Sequence, residues 1–466
     1  GGIMKPLRKQ GIIIFSILAL VLAACGGDTT EETTVEETTP EVVETLDSPA
    51  VTTASGVETG VGVTSDPCPE AIGGIPTGAD QSKGCIYLGM LNDYTGPYAA
   101  AGPALETAQR GFWLWANSAG GVGDYSVAIV EGTDTGYNPQ RHLEAYNAQK
   151  ENVAALAMSL GTVQTLFILD EMDKDNMVAA PMSWYSGWSY KSVDKGLVVE
   201  FGSAYCADGM NAVDWALANL PVDIKTIGIM GGAGDYGSDW AAGVKYAAER
   251  NGLTVAWEYT PPSTEFDVAQ AVGLMITQPV DAYFPAVVPS QMAQVAGGAA
   301  QQGVTPIAML AAPAFNDAFV QEGFALKGLF ESGAIYTMAW VAPYEYQSNA
   351  HATMRATFAS MGIDSASSFL VAGWSSQYHL KGVLEAAIKG GDLTRAGIRR
   401  AAANVYVESD GMMLTRELGQ DRADKESFIN IPDGNIASGV RMLASNYVGP
   451  SAESYDFTQG PCFASG

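Results

Sequence analysis

From Cys85 onward, short apolar runs alternate with stretches whose apolar residues recur at helical spacing, and this alternation constrains the fold more than any other feature. Cys85–Asn92 reads as a strand. Leu105–Asn117 follows as a helix, with Leu105, Ala108, Phe112 and Trp115 on one face. Ser126–Glu131 is a strand, and Pro139–Glu151 is a helix opened by Asn138-Pro139. Ala154–Ser159 is a strand, Gln164–Asp175 a helix and Met177–Ala180 a strand. Later strands are predicted at Thr226–Met230, Thr254–Glu258, Ala282–Pro285 and Ile307–Ala311, with helices near 235–251, 266–278 and 290–302. Parallel strands need crossover helices between them, so the pattern predicts an α/β fold built on mostly parallel sheets. Such sheets take ligands beyond the carboxyl ends of their strands. Two successive stretches, 86–202 and 204–332, predict two lobes. The more helical remainder from about 333 then packs onto lobes already formed.

The first residues differ from this body. Lys5, Arg8 and Lys9 precede an apolar run, Ile12–Leu22, with Met4 as the expected start. A run this short falls below the roughly 20 residues that span a bilayer and suits a signal peptide. It ends in Leu22-Ala23-Ala24-Cys25-Gly26, which resembles a bacterial lipobox. Residues 1–25 are therefore expected to be a lipoprotein signal peptide, with Cys25 carrying the lipid and no other membrane contact. Residues 26–66 hold ten acids and no base, and few large apolar side chains. That composition predicts an acidic tether, drawn to extend over 26–82.

The chain of 466 residues has 51 acidic and 24 basic side chains, a net charge of −27. A surface this acidic excludes nucleic acid, whose backbone is bound by Lys and Arg. His142, His351 and His379 are isolated in the sequence, so neither a His-rich metal site nor a His-centred proton-transfer group is expected. No G-x-S-x-G elbow occurs. Gly232-Ala-Gly234-Asp-Tyr-Gly237 spells a dinucleotide-binding fingerprint, with Glu258 about twenty residues on where a ribose contact would stand. It lies in the second half of the lobes rather than opening the body, and an exported lipoprotein is a poor place for a soluble nicotinamide. No cofactor and no enzymatic activity are expected.

Four segments carry a family resemblance. The stretch from Ile86 to Gly102, through Asn92-Asp-Tyr-Thr-Gly-Pro-Tyr98, resembles the opening strand and turn of type I periplasmic binding proteins, most of all the branched-chain amino-acid receptors of ABC importers. Asp134 with Asn138-Pro139, Asn117-Ser-Ala-Gly-Gly-Val122 and Asp235-Tyr-Gly-Ser-Asp-Trp240 are similar to further motifs of that family, and the last accounts for the fingerprint as coincidence. The resemblance spans roughly 83–450. It implies a two-lobed clamp with three hinge crossovers: lobe 1 from 83–203 and 333–404, lobe 2 from 204–332 and 405–466. It further implies a monomeric solute-binding component that closes on a small ligand, a branched-chain amino acid or a related amide or carboxylate, and delivers it to an ABC permease. A sensory receptor of the same fold is the alternative.

The resemblance also implies where ligand is held. After the first strand come Tyr94, Tyr98 and Ala101; relatives carry an aromatic near Ala101, which Tyr98 would replace. Gly161 and Thr162 would hold a ligand carboxylate at a helix N-terminus. Ser183 would add a hydroxyl, with Trp184 and Tyr185 as an apolar wall; loop packing is the other reading of these aromatics. Tyr236, Val288 and Phe315 would face the cleft from lobe 2. Amino-acid receptors of the family place an acid near Ala312 to pair the ligand ammonium, and here the stretch reads Ala311-Ala-Pro-Ala-Phe-Asn-Asp317. Asp317, Glu345 or another acid would substitute, or the ligand lacks an ammonium. With Cys25 lipidated, four cysteines remain, open to three pairings; the crossover order implies Cys68–Cys85 and Cys206–Cys462.

Overall fold

In the computed structural model the described residues are 51–52, 56–234, 236–262, 265–414, 416–417 and 424–464. The expected signal peptide with Cys25, the first half of the tether and Asp235 lie outside them. Strand β1 (Gly84–Asn92) is central to the first sheet, flanked by β2 (Tyr125–Ile129) on one side and by β3 (Ala155–Leu160) and β4 (Ala179–Met182) on the other, all parallel. Its helices are α1 (Gly102–Ser118), α2 (Pro139–Gln149) and α3 (Thr162–Asp175). Asn138 caps α2 by accepting from the Arg141 backbone N–H, and Pro139 opens the helix at a position that needs no N–H donor.

Tyr205–Asn219 (α4) begins the second unit. Its seven-stranded sheet has the order β6-β5-β7-β8-β9-β10-β11. These strands are β5 (Thr226–Gly231), β6 (Thr254–Tyr259), β7 (Ala282–Ala286), β8 (Ile307–Leu310), β9 (Ile335–Ala339), β10 (Ser427–Pro432) and β11 (Val440–Tyr447). The first five are parallel; β10 runs antiparallel to β9, and β11 antiparallel to β10. Helices α5 (Tyr236–Arg250), α6 (Val268–Thr277) and α7 (Pro289–Gln301) connect the parallel strands. Between β9 and β10 the chain returns to the first unit as α8 (Asn349–Ser360), α9 (Ser368–Lys389) and α10 (Arg395–Ala402), with α9 packed along α1. Gly373 permits that approach, since a Cβ there would lie 2.6 Å from the Leu105 carbonyl oxygen. No described helix is long and apolar enough to cross a membrane.

Two boundaries differ from expectation. β9 hydrogen-bonds to β8 and β10, so residues 335–339, drawn above with the returning segment, belong to the second sheet. Val407 is buried against Gly382 of α9, so the segment beyond 405 still packs on the first unit. In both places tertiary pairing decides which unit a short segment joins. The tether also ends earlier than 82. Glu58–Thr59 pairs with Asp392–Leu393, Val63–Thr64 pairs with β1, and Cys68 is bonded to Cys85. Cross-linking and strand pairing order a stretch whose composition alone would leave it extended. A second bridge joins Cys206 to Cys462.

The crossings between the units meet near α4. Gly202, at φ +76°, lies against Trp340, whose Cβ would be 2.7 Å from an added Cβ. Asp208 is fully buried and accepts hydrogen bonds from Ser203 Oγ of the first crossing and from Ser427 Oγ at the end of the third, each 2.5 Å. Burial pushes its carboxyl up to about 8, against these two bonds, which favour the ionised form.

Candidate ligand-binding cleft

The loops that follow the strands of the two sheets converge on a cavity. Tyr98, Leu105, Tyr137, Leu160, Met182 and Trp184 line it from the first unit. Tyr205, Tyr236 and Pro313 line it from the second, and Trp340, Phe369 and Ala372 from the returning segment. Seven of these twelve are aromatic, and no charged side chain among the described residues lines the wall.

Local chemistry sets each wall residue. The buried Asp93 carboxylate accepts from the backbone N–H groups of Thr95, Gly96 and Tyr98, which curls the loop after β1 and presents Tyr98. Asp134 accepts from the Tyr94 N–H at 2.9 Å, from Thr95 Oγ1 at 2.6 Å and from Arg141 at 2.8 Å, tying that loop to the one carrying Tyr137. Despite partial burial, these donors hold the Asp134 carboxyl far below its usual range. Tyr137 adopts φ +55°, and its carbonyl accepts from Gln164 Nε2 at 2.8 Å. Its ring packs on Tyr98 with centroids 5.0 Å apart. Gly161, at φ +103°, sits under both: a Cβ there would lie 2.1 Å from Gln164 Oε1 and 2.7 Å from the Tyr137 ring.

The loop after β4 is held from behind. Ser186 donates to Asp239 at 2.6 Å and Tyr185 donates to the Phe463 carbonyl at 2.6 Å. Asp239 is fully buried, and burial pushes its carboxyl up to about 7. Asp239 lies with Cys206 and Cys462 in a group of metal-ligating types, but the two sulfurs are joined to each other.

Of the residues expected at the ligand, the structure brings Tyr98, Trp184 and Tyr236 together on the wall. Phe315 lines an adjoining cavity that shares Trp340, Phe369 and Ala372. Thr162 and Ser183 hydrogen-bond each other at 2.8 Å beside the wall residues Leu160 and Met182. Tyr94 donates to Glu106 at 2.5 Å, Tyr185 turns to the chain end, and Ala101 and Val288 are packed in the core. Tyr137, Tyr205, Trp340 and Phe369 were missed. Tyr137 stands on a loop with left-handed backbone, Trp340 just past β9, and Tyr205 and Phe369 in the first turns of α4 and α9; only their size and apolarity could have drawn notice.

The position near Ala312 has no acid. Ala312 lines the adjoining cavity and Pro313 the cleft. Glu345 binds the backbone N–H and hydroxyl of Ser438 at 2.8 and 2.6 Å. Asp317 is absent from both walls, and burial raises its carboxyl.

The periplasmic binding protein family profile matches residues 85–427. No curated protein matches the sequence. Among solved structures, the chain is similar to a fatty acid ABC transporter substrate-binding protein from Thermomonospora curvata, at 24% identity and TM-score 0.75 over 86% of this chain and 97% of that one. A branched-chain amino acid ABC transporter protein from Thermus thermophilus with bound valine is similar at 12% identity and TM-score 0.67, covering 80% and 98%. A solute binding protein of an ABC transporter from Rhodopseudomonas palustris HaA2, in complex with p-hydroxybenzoic acid, is similar at 15% identity and TM-score 0.65, covering 79% and 98%.

Proposed function

We infer that this chain, which belongs to the periplasmic binding protein family, closes its two lobes on a small, largely apolar ligand without an ammonium group. As a solute-binding protein of the ABC-transporter type it works by binding and release. Ligand shifts an open–closed equilibrium by its preference for the closed state, and the closed form docks on a permease. Lobe 1 comprises β1 to β4 with α8 to α10; lobe 2 comprises α4 to β9 with β10 and β11. The chain acts as a monomer anchored to the cell envelope through lipid on Cys25.

The single observation that carries the ligand class is the uncharged, aromatic wall of the cleft. Closing a bare ammonium into such a wall would cost several kcal/mol. The nearby acids are committed elsewhere: Asp208 to Ser203 and Ser427, Asp239 to Ser186, Glu345 to Ser438. The similar structures hold valine in one case and p-hydroxybenzoic acid in another, so the fold leaves the choice to the wall. A carboxylate end would sit at the N-terminus of α3, with Gly161, Thr162 and Ser183 around it, where helix N–H groups favour an anion. Tyr98, Trp184 and Tyr236 would pack on the apolar part.

A thermal-shift screen with leucine, valine, acetamide, urea, benzoate and hexanoate tests this. A ligand at a hundred times its Kd stabilises by about 2.7 kcal/mol. Benzoate or hexanoate is expected to raise Tm. A rise with leucine or valine alone would overturn the ligand class and restore the amino-acid reading.

A further inference from the structure

The end of the chain touches both units. Helix α11 (Pro450–Ser454) packs on α4 and α5 of the second unit, and the Ser451 N–H donates to Asp214 of α4 at 2.6 Å. The Tyr455 ring stands edge-on to Tyr246 of α5, with centroids 4.8 Å apart. Residues 457–463 then lie along the loop after β4 of the first unit, in the opposite direction. The Tyr190 hydroxyl donates to the Phe457 carbonyl, the Cys462 N–H donates to Ser186 Oγ at 3.0 Å, and the Tyr185 hydroxyl donates to the Phe463 carbonyl at 2.6 Å. Phe463 packs on the cluster of Tyr185, Trp188 and Val198. The same stretch is fastened to the second unit by the bridge from Cys462 to Cys206 in the first turn of α4. Asp239 of α5 completes the arrangement. Its buried carboxyl group accepts from the Ser186 N–H at 3.1 Å, from Ser186 Oγ at 2.6 Å and from the Cys206 N–H at 3.2 Å. The loop held in this way carries Trp184 of the cleft wall.

We propose that residues 457–463 form a strap across the hinge, secured by the Cys206–Cys462 bridge, that limits how far the lobes open. The inference rests on the reading of two lobes that close on a ligand, and goes beyond it by giving the chain end a part in that motion. A hinge bends where a few backbone torsions absorb the change. A segment bonded to both sides must give up its contacts as the sides part, so orientations that break them are populated less. Apparent affinity falls with the fraction of molecules in the binding-competent arrangement. Cutting the strap therefore weakens binding without altering any contact to the ligand.

Small-angle X-ray scattering of the ligand-free full chain, recorded below the melting temperature of every variant, tests the proposal. Cys462→Ser is expected to increase the radius of gyration. Tyr185→Phe combined with Tyr190→Phe, which keeps the bridge but releases the loop, should shift it the same way. Cys68→Ser opens a bridge within the first unit and should leave it unchanged, which separates loss of the strap from loss of stability. Benzoate or hexanoate, whichever raises the Tm of the parent, should bind Cys462→Ser at least about fivefold more weakly. An unchanged radius of gyration in Cys462→Ser overturns the strap, as does an equal increase in Cys68→Ser. Neither result touches the ligand class, which fails instead if neither benzoate nor hexanoate binds the parent; the ligand-free scattering decides the strap in that case too.

Discussion

The indoles of Trp184 and Trp340 stack face to face, with ring centroids 3.2 Å apart and planes 6° from parallel. Trp184 follows β4 in the first sheet and Trp340 follows β9 in the second, so the pair joins the two sides of the cleft and walls the ligand cavity at once. Aromatic pairs of this kind contribute about 0.5–1.5 kcal/mol beyond the area they bury. Trp340→Ala is expected to lower stability by about 3–5 kcal/mol in urea unfolding, and Trp340→Phe to recover most of that. An alanine variant as stable as the parent would show that the stack carries no weight.

Cys206 and Cys462 are joined across 256 residues, whereas Cys68 and Cys85 are separated by 17. Cross-links remove more unfolded-state entropy when they close longer loops, about 5 kcal/mol for the first and about 3 kcal/mol for the second. Cys462→Ser should therefore destabilise more than Cys68→Ser under non-reducing conditions. It should also weaken ligand binding, because the Phe463 carbonyl that anchors Tyr185 beside Trp184 is released with it. Equal losses of stability from the two serine variants would refute the ranking.

Titration at Asp208 gives the protein a defined response to alkali. Its carboxyl is pushed up to about 8 by burial, so the folded chain holds a proton that the unfolded chain has already released. That contribution is complete below the unfolded value of about 4 and is lost as pH rises through about 8. His142 behaves in the opposite sense. Burial lowers it to about 3, so stability is lost as pH falls below the unfolded value of about 6.5. Relative to the parent, Asp208→Asn should gain in Tm from about pH 6 to about pH 9, and His142→Gln from about pH 7 down to about pH 4. Differences in Tm that stay flat with pH would refute both assignments.

Gly161 is packed tightly against the wall residue Tyr137. Its φ of +103° and its closeness to Gln164 and Tyr137 leave no space for a side chain. Gly161→Ala is expected to cost about 1–3 kcal/mol and to weaken ligand binding by displacing Tyr137. Unchanged affinity by calorimetry would place the ligand away from this loop.

The proposed lipid attachment at Cys25 predicts that Cys25→Ser releases the protein from the membrane fraction into the soluble one. Continued membrane retention, seen by fractionation and immunoblot, would refute the anchor.

Much of the fold is legible in the order of side chains alone. The apolar runs at Cys85–Asn92 and Thr226–Met230 became β1 and β5 nearly unchanged, because a strand buried on both faces needs an uninterrupted apolar run. Asn138-Pro139 marked the start of α2, because capping and a fixed proline φ act within one turn. The site was legible only where it lies just past a predicted strand. Tyr98 and Trp184, which line the cavity, stand in such places. Thr162 and Ser183 follow strands too, and their hydroxyls bond each other across two loops, a pairing that no local pattern reveals.

The sequence by itself determined the α/β class, the order of strands and helices and the uncharged character of the position near Ala312. Each follows from interactions within a few residues of chain, whose periods of two and 3.6 are written in the order of side chains. Only the tertiary structure decided that Trp340 and Phe369 would meet Tyr98 and Trp184, that β9 would join the second sheet, and that the chain end would lie along the loop after β4. Those contacts join residues far apart in the chain. Close packing chooses them among many apolar side chains that local pattern treats alike.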